Sequence, residues 1–167
     1  MEADKIFLNG FIEKYVNKNR KLYTITGIVL LVIGLAILAL FIKDGLSKEI
    51  GDTIGLLIVF IFFFLLGLYF LIYSFRTRVE KNEVYNSING DTNDVVWIYD
   101  SVTNRSGRSF YEVNIGMKTG KTIKFTCADQ QNQVVVRNHF RNICTNAKIG
   151  YSSERELGFK KNPTNFQ

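Results

Sequence analysis

The chain has 167 residues, of which 47% are hydrophobic, and its formal net charge is +6. A chain of this length ordinarily forms one soluble domain, yet two stretches of 21 and 23 residues carry no charge, between Lys21 and Lys43 and between Asp52 and Arg76. This distribution excludes a simple soluble enzyme, and a count of only two cysteines excludes a secreted disulfide-rich scaffold.

The N-terminal segment, residues 1–21, is weakly amphipathic. Its apolar residues fall at a rough helical spacing that Asn9 and Gly10 interrupt; they are Ile6, Phe7, Phe11, Ile12 and Tyr15. The pattern predicts a cytoplasmic helix lying at the membrane interface. A flexible lead-in to the next segment is the alternative interpretation.

The two uncharged stretches, residues 22–42 and 53–75, are long enough to cross a bilayer. About 20 apolar residues span the hydrocarbon core as a helix, and both stretches exceed the apolar core of a signal peptide. They predict a hairpin of two transmembrane helices joined by a short loop, residues 43–52.

Positive charges flank this hairpin on its outer ends. They are Lys14, Lys18, Arg20 and Lys21 before the first helix, and Arg76, Arg78 and Lys81 after the second. Such residues stay on the cytoplasmic side, which predicts an integral protein of the plasma (bacterial inner) membrane with both termini cytoplasmic and the loop outside. The same seven cations are candidates for contacts with anionic lipid headgroups, although the topology bias also accounts for them.

Within the apolar stretches, the notable residues are Gly27 and Gly34. Their spacing of seven suggests that another helix packs closely against them, although glycine is common in membrane helices. Neither stretch contains Asp, Glu, Lys, Arg or His. Proton and ion pathways normally need such a group, so a transporter is disfavoured.

Residues 76–94 are polar and are interpreted as a linker or an irregular first strand. Residues 95–167 then carry three segments with strict alternation of apolar and polar residues, 95–103, 109–117 and 121–127, which is typical of half-buried strands. Three-residue loops at 105–107 and 118–120 would place the apolar residues of all three strands on one face of an antiparallel β-meander.

A helix is predicted to cover that face. Asp129 is a suitable N-cap, and residues 130–145 follow with an apolar stripe that includes Val136 and Phe140. The result is a small α+β cytosolic domain in which Cys127 and Cys144 serve as reduced, buried, small hydrophobic residues.

The other face of the predicted sheet carries an apolar patch at one end. It consists of Val96, Ile98, Val102 and Phe110. An exposed patch of this kind commonly marks a contact surface, and these four residues are the candidate partner-binding site.

The strand segments VVWIYD, SFYEVNIGMKTGK and KTIKFTC, the helix QQNQVVVRNHFRNIC and the preceding hairpin together show a resemblance. This arrangement is similar to bacterial two-helix membrane proteins with a cytosolic pleckstrin-homology-like domain. The resemblance implies a seven-stranded domain, whereas the sequence indicates three or four strands. Members of that group are mostly of unassigned function, so no site residue is implied.

No pattern in the chain predicts a catalytic, cofactor or metal site. The segment 116–122 has three residues between its glycines and leads into a strand, unlike a phosphate-binding loop, and His139 is the only histidine. The sequence therefore predicts a non-enzymatic, membrane-anchored module that binds a protein partner, a second copy of itself or an anionic lipid surface. The alternative is an accessory subunit assembled through its transmembrane helices. Neither nucleic acid nor a small-molecule substrate is expected.

Overall fold

The computed structural model describes residues 1–44 and 50–166 and divides the chain into two compact units. One unit, here called the sheet unit, combines Met1–Tyr15 with Val79–Gln167; the other, the helical unit, is Val16–Arg78. Half of the loop predicted at 43–52, residues 45–49, lies outside the described residues.

Two long helices form the helical unit. Helix α1 covers Glu2–Asp44, with its first turns in the sheet unit, and α2 covers Ile50–Arg76. Both are long and apolar enough to span a membrane, over Glu2–Lys43 and Ile54–Arg76.

Glycines set the distance between α1 and α2. A Cβ atom added to Gly27 would lie 2.9 Å from the Leu71 side chain and 3.0 Å from the Gly67 carbonyl oxygen. A Cβ atom on Gly67 would likewise meet the Gly27 carbonyl oxygen at 3.0 Å. The two backbones therefore cross at a glycine pair, as small-residue helix contacts allow. Gly34 also faces α2, at ordinary contact distance from the backbone of Phe64.

A polar contact also joins α1 to α2, near the end of the helices that carries the charged residues. The hydroxyl oxygens of Thr24 and Ser74 lie 2.6 Å apart, and Ser74 also donates to the Arg20 carbonyl oxygen at 3.2 Å. Ser74 is buried, so these bonds satisfy a hydroxyl that would otherwise be desolvated without a partner.

The sheet unit contains a four-stranded mixed sheet in the order β3-β2-β1-β4. The strands are β1, Val95–Arg105; β2, Arg108–Met117; β3, Thr122–Cys127; and β4, Lys148–Ile149. Strand β2 is antiparallel to both β1 and β3, whereas β4 runs parallel to β1. Strand β4 was not predicted, because two residues give too short a pattern to recognise; the possible additional strand of the sequence analysis lay in residues 76–94.

The predicted register between β2 and β3 is confirmed. Ile115 pairs with Ile123, and Val113 pairs with Phe125. Gly120 has a φ angle of +81°, which supplies the left-handed residue that the three-residue loop requires.

The predicted register between β1 and β2 is wrong by one residue. The turn has two residues, Ser106 and Gly107, with φ angles of 50° and 74°, and such a turn matches the twist of the strands. Trp97 therefore pairs with Gly116 instead of Ile115. A shift of one residue moves a side chain to the other face, so Trp97 and Tyr99 lie opposite the face of Val113 and Ile115.

A different helix packs on each face of the sheet. Helix α4, Gln130–Ile143, packs on the face of Val113 and buries Val136 and Phe140. Asp129 caps it as predicted, accepting a hydrogen bond from the Asn132 amide at 2.7 Å. Helix α5, Ser153–Lys161, covers the other face with Phe159, whose ring packs on Trp97 at 5.6 Å.

Residues 76–94 hold a short helix where a linker or strand was expected. Helix α3 covers Glu83–Asn89, and its N-cap Asn82 accepts from the Tyr85 amide. It buries Val84 and Ile88. Seven residues are too few for a clear helical periodicity, which explains why the sequence pattern did not reveal it.

Residues 1–15 of the N-terminal segment belong to the sheet unit. This part is helical through Asn9 and Gly10, and it buries Leu8 and Ile12 completely. The rings of Phe11 and Tyr15 lie 5.8 and 5.2 Å from Phe125 of β3. Three residues of the predicted apolar stripe, Phe11, Ile12 and Tyr15, thus pack within the sheet unit, whereas Ile6 is exposed.

Replacing Gly27 with leucine should separate α1 from α2, because the new side chain would collide with Leu71 and the Gly67 carbonyl group. The measurement is disulfide formation between cysteines at Thr24 and Ser74, whose oxygens lie 2.6 Å apart. The bond should form in an otherwise unchanged chain and fail with Gly27→Leu. Gly55→Leu is the matched control, since no described atom lies within 4 Å of a Cβ atom there. Equal disulfide yields in both variants would contradict the glycine contact.

Replacing Gly116 with alanine should destabilise the sheet unit by about 1–3 kcal/mol, as overpacking does. The added Cβ atom would lie 3.0 Å from Trp97 and 3.2 Å from the Phe159 ring. Thermal unfolding followed by the emission of Trp97, the only tryptophan, measures this change directly. The control Gly10→Ala adds a methyl group in open space and should stabilise the helix by up to about 1 kcal/mol. A Gly116→Ala chain as stable as Gly10→Ala would refute this packing.

Candidate interaction surface

The four residues of the predicted partner-binding patch do not form one surface. Val96 and Ile98 are completely buried, so their assignment to an exposed patch is wrong. Ile98 changes face because of the two-residue turn, which pairs it with Ile115, whereas Val96 lies in a β-bulge, since Val95 pairs with Met117 and Trp97 with Gly116. Val96 packs with Phe159 and Phe166, whereas Ile98 shares the face that α4 covers.

Val102 and Phe110 are the two exposed residues of the patch, with relative solvent accessibilities of 54% and 38%. They belong to the end of the β1–β2 hairpin, residues 102–110, here called the β-arm. The pairing of β3 with β2 stops at Tyr111, and that of β4 with β1 stops at Ile98. The β-arm is therefore a two-stranded ribbon, and no strand of residues 1–44 or 50–166 pairs with either of its edges.

The tip of the β-arm places two arginines side by side. Arg105 and Arg108 are cross-strand partners on either side of the turn, and both are exposed. The next pair is neutral, with Ser109 donating to the Asn104 side chain at 2.8 Å. Neither arginine forms an ion pair with any residue that the structure describes.

Three other cations of the sheet unit form ion pairs. Arg137 pairs with Asp100 at 2.6 Å, Lys160 pairs with Glu156 at 2.6 Å, and Lys121 pairs with Glu83. With 14 Lys and Arg residues against 12 Asp and Glu residues, the unit has a net charge of only +2. The unit as a whole is therefore only weakly basic.

The candidate headgroup cations fall in both units. Lys14 and Lys81 belong to the sheet unit, and the other five belong to the helical unit: Lys18, Arg20, Lys21, Arg76 and Arg78. All seven side chains are exposed, which is compatible with contact with lipid headgroups. Gly27 and Gly34, the candidate helix-packing residues, both lie against α2 of the same chain.

Asp4 joins the N-terminal turn of α1 to α4. One carboxylate oxygen lies 3.0 Å from the Asn142 amide nitrogen and 2.8 Å from Nδ1 of His139, and Phe7 stacks on His139 at 4.0 Å. The hydrogen bonds from Asn142 and His139, with the nearby N-terminal amine, hold the pKa of Asp4 well below its ordinary value. Sequence reasoning missed this cluster because Asp4 is 135 residues from His139 and 138 residues from Asn142.

The two cysteines are buried, as predicted. Burial raises the pKa of Cys127 to about 11 and that of Cys144 to about 12. Thiols of this kind are protonated near neutral pH and therefore react slowly, since the thiolate is the nucleophile. In the described part of the chain, no three His, Cys, Asp or Glu side chains converge into a metal site.

Comparison with known proteins gives no relative: no protein-family model, no curated protein and no solved structure matches the chain. The pleckstrin-homology-like resemblance therefore stays a prediction. A complete domain of that type has seven strands, whereas residues 1–44 and 50–166 form four.

The Asp4 contacts predict a titration. The pKa of Asp4 should lie below its ordinary value of 3.8. The Asn142→Ala change should raise this pKa more than the loss of His139 or of the N-terminal amine would. Because the pKa of Asp4 is lower in the folded state than in the unfolded chain, ionised Asp4 stabilises the folded state at pH values above its ordinary pKa. This contribution disappears as the pH falls through the folded-state pKa. Carboxyl NMR of Asp4 measures it; a midpoint at or above 3.8 in the unmodified chain would contradict the contacts.

Proposed function

We propose that this protein is a non-enzymatic membrane protein whose helical hairpin anchors a small interaction domain at the cytoplasmic face of the plasma membrane. Helices α1 and α2 cross the bilayer, and the sheet unit binds a partner on the cytoplasmic side. Three observations support this proposal, and the first carries it.

That first observation is the composition of the sheet unit. Residues 1–15 precede the first apolar stretch, and residues 79–167 follow the second, yet they fold together. A bilayer cannot separate segments that share a core, and Phe125 packs with both Phe11 and Tyr15. Both ends of the hairpin must then be on one side of the membrane, which requires an even number of crossings.

The second observation is the exposed apolar surface of the helices. In the most apolar window of each, only 11% and 6% of the residues are buried. The exposed side chains include Leu22, Val32 and Leu40 on α1, and Ile58 and Phe62 on α2. Water disfavours so large an apolar surface, whereas a hydrocarbon core solvates it.

The third observation is the charge distribution at the outer ends. Arg20 and Lys21 lie just before the first apolar stretch, and Arg76 and Arg78 follow the second. The positive-inside bias assigns these ends, and with them the sheet unit, to the cytoplasm.

The alternative, an accessory subunit assembled through a glycine stripe, has less support. Gly27 and Gly34, which would have received a foreign helix, already lie against α2. A larger complex would have to contact other faces of the hairpin.

Cysteine labelling in intact cells tests this topology. A cysteine introduced at Ser47 should react with a membrane-impermeant maleimide from outside, whereas one at Ser106, in the exposed β-arm turn, should react only after permeabilisation. The native cysteines leave the background low because both are buried. Labelling of Ser106→Cys in intact cells, or of Ser47→Cys only after permeabilisation, would overturn the proposed orientation.

A further inference from the structure

The geometry points to the β-arm as an anion-binding element that engages the phosphate groups of anionic lipids at the membrane surface. This inference rests on the proposed membrane anchoring and names the partner of the sheet unit. Its residues are Arg105 and Arg108 at the tip and Phe110 beside them on the same face.

The electrostatic argument begins with the arginine pair. Like charges directly opposite each other across two strands destabilise the pairing, and Arg105 and Arg108 occupy such positions next to the turn. No described carboxylate neutralises them. An anion bound between the two guanidinium groups would remove this repulsion, and phosphate accepts their forked hydrogen bonds well.

The apolar argument identifies the source of the phosphate. Strand partners share a face, so Phe110, which pairs with Thr103, projects on the same side as the arginines two residues away. Val102 adds an exposed apolar side chain on the opposite face of the arm. A soluble phosphate ion gains nothing from these groups, whereas a bilayer interface accommodates aromatic and aliphatic side chains beside cationic ones.

Among the strand pairs that the structure describes, only Arg105 and Arg108 place two cations directly opposite each other. Lys121, Arg137 and Lys160 instead have carboxylate partners, and the net charge of the unit is only +2. The chain also passes directly from Tyr15 to Val16 and from Arg78 to Val79, the boundaries of the two units. Short connections to a membrane anchor raise the effective concentration of a weak headgroup site.

Quenching by nitroxide-labelled lipids tests this inference on the full chain in nanodiscs. A bimane label on Ser106→Cys reports the tip, since Cys127 and Cys144 are buried. We expect quenching to be several-fold stronger in discs containing phosphatidylglycerol than in phosphatidylcholine discs, and to decline as salt is added. Equal quenching in the two lipids would overturn the inference.

Matched variants separate the arm from general charge. Arg105→Gln with Arg108→Gln should reduce quenching to the phosphatidylcholine level. Lys124→Gln with Arg141→Gln removes the same charge from exposed positions elsewhere on the unit and should leave the quenching unchanged. Similar losses in both double variants would overturn the inference, because they would indicate diffuse attraction. All variants should retain the Trp97 emission of the unmodified chain.

Two further measurements test the apolar contact and the phosphate source. Phe110→Ser should reduce quenching by acyl-chain nitroxides, whereas Leu157→Ser, at an exposed position of α5, should not. Inorganic phosphate at constant ionic strength should change the bimane signal little in phosphatidylcholine discs. A response as large as that to phosphatidylglycerol would assign the site to soluble phosphate and overturn the lipid inference.

The anchor is checked in the same samples. Protein that stays with the bilayer after alkaline extraction and flotation confirms insertion, so a missing lipid response would then count against the arm alone. Protein that leaves the bilayer would contradict the proposed function and this inference together.

Discussion

The shared core of the two chain ends is the constraint on which the rest of the protein depends. Leu8 and Ile12 are fully buried, and Phe125 receives the rings of Phe11 and Tyr15. Burying a large apolar side chain contributes about 1.5–3 kcal/mol, so this segment is a structural part of the sheet unit. The segment before the first apolar stretch and the domain after the second are therefore parts of one folded unit. The chain leaves this unit at the start of the hairpin and returns to it at the end.

In the helical unit, glycines let the two helices pack closely in the antiparallel arrangement that this constraint requires. Two helices whose outer ends return to one domain must run antiparallel, and the contacts of Thr24 with Ser74 and of Gly27 with Gly67 have that order. In a bilayer, association depends on close packing and hydrogen bonds more than on apolar burial. The glycine crossing supplies the close packing, and the contact between the Thr24 and Ser74 hydroxyl groups supplies a hydrogen bond.

Local patterns in the sequence predicted much of this structure. Long uncharged stretches predicted both helices, and alternation with Gly120 predicted the β2–β3 register. The β1–β2 register could not be read in the same way, because the bulge at Val96 disrupts alternation and the Ser106-Gly107 turn admits two loop lengths. Contacts between residues far apart in the chain could not be predicted from local patterns either. Examples are the contact of Asp4 with His139 and the burial of Leu8 in the core. The candidate site changed accordingly, from a four-residue patch to a β-arm with Val102, Phe110 and two arginines.

The most direct test of the shared core is a disulfide between its two contributing ends. Asn9 and Asn89 exchange side-chain hydrogen bonds, each of 3.0 Å, and cysteines at these positions should oxidise to a disulfide in native membranes. A control pair at Asn9 and Ser106 should not, because the β-arm tip lies at the free end of its hairpin. Formation of the first bond alone is the predicted result. Two reactive, unlinked thiols at Asn9 and Asn89 would contradict the account, because the ends would then not share one folded unit.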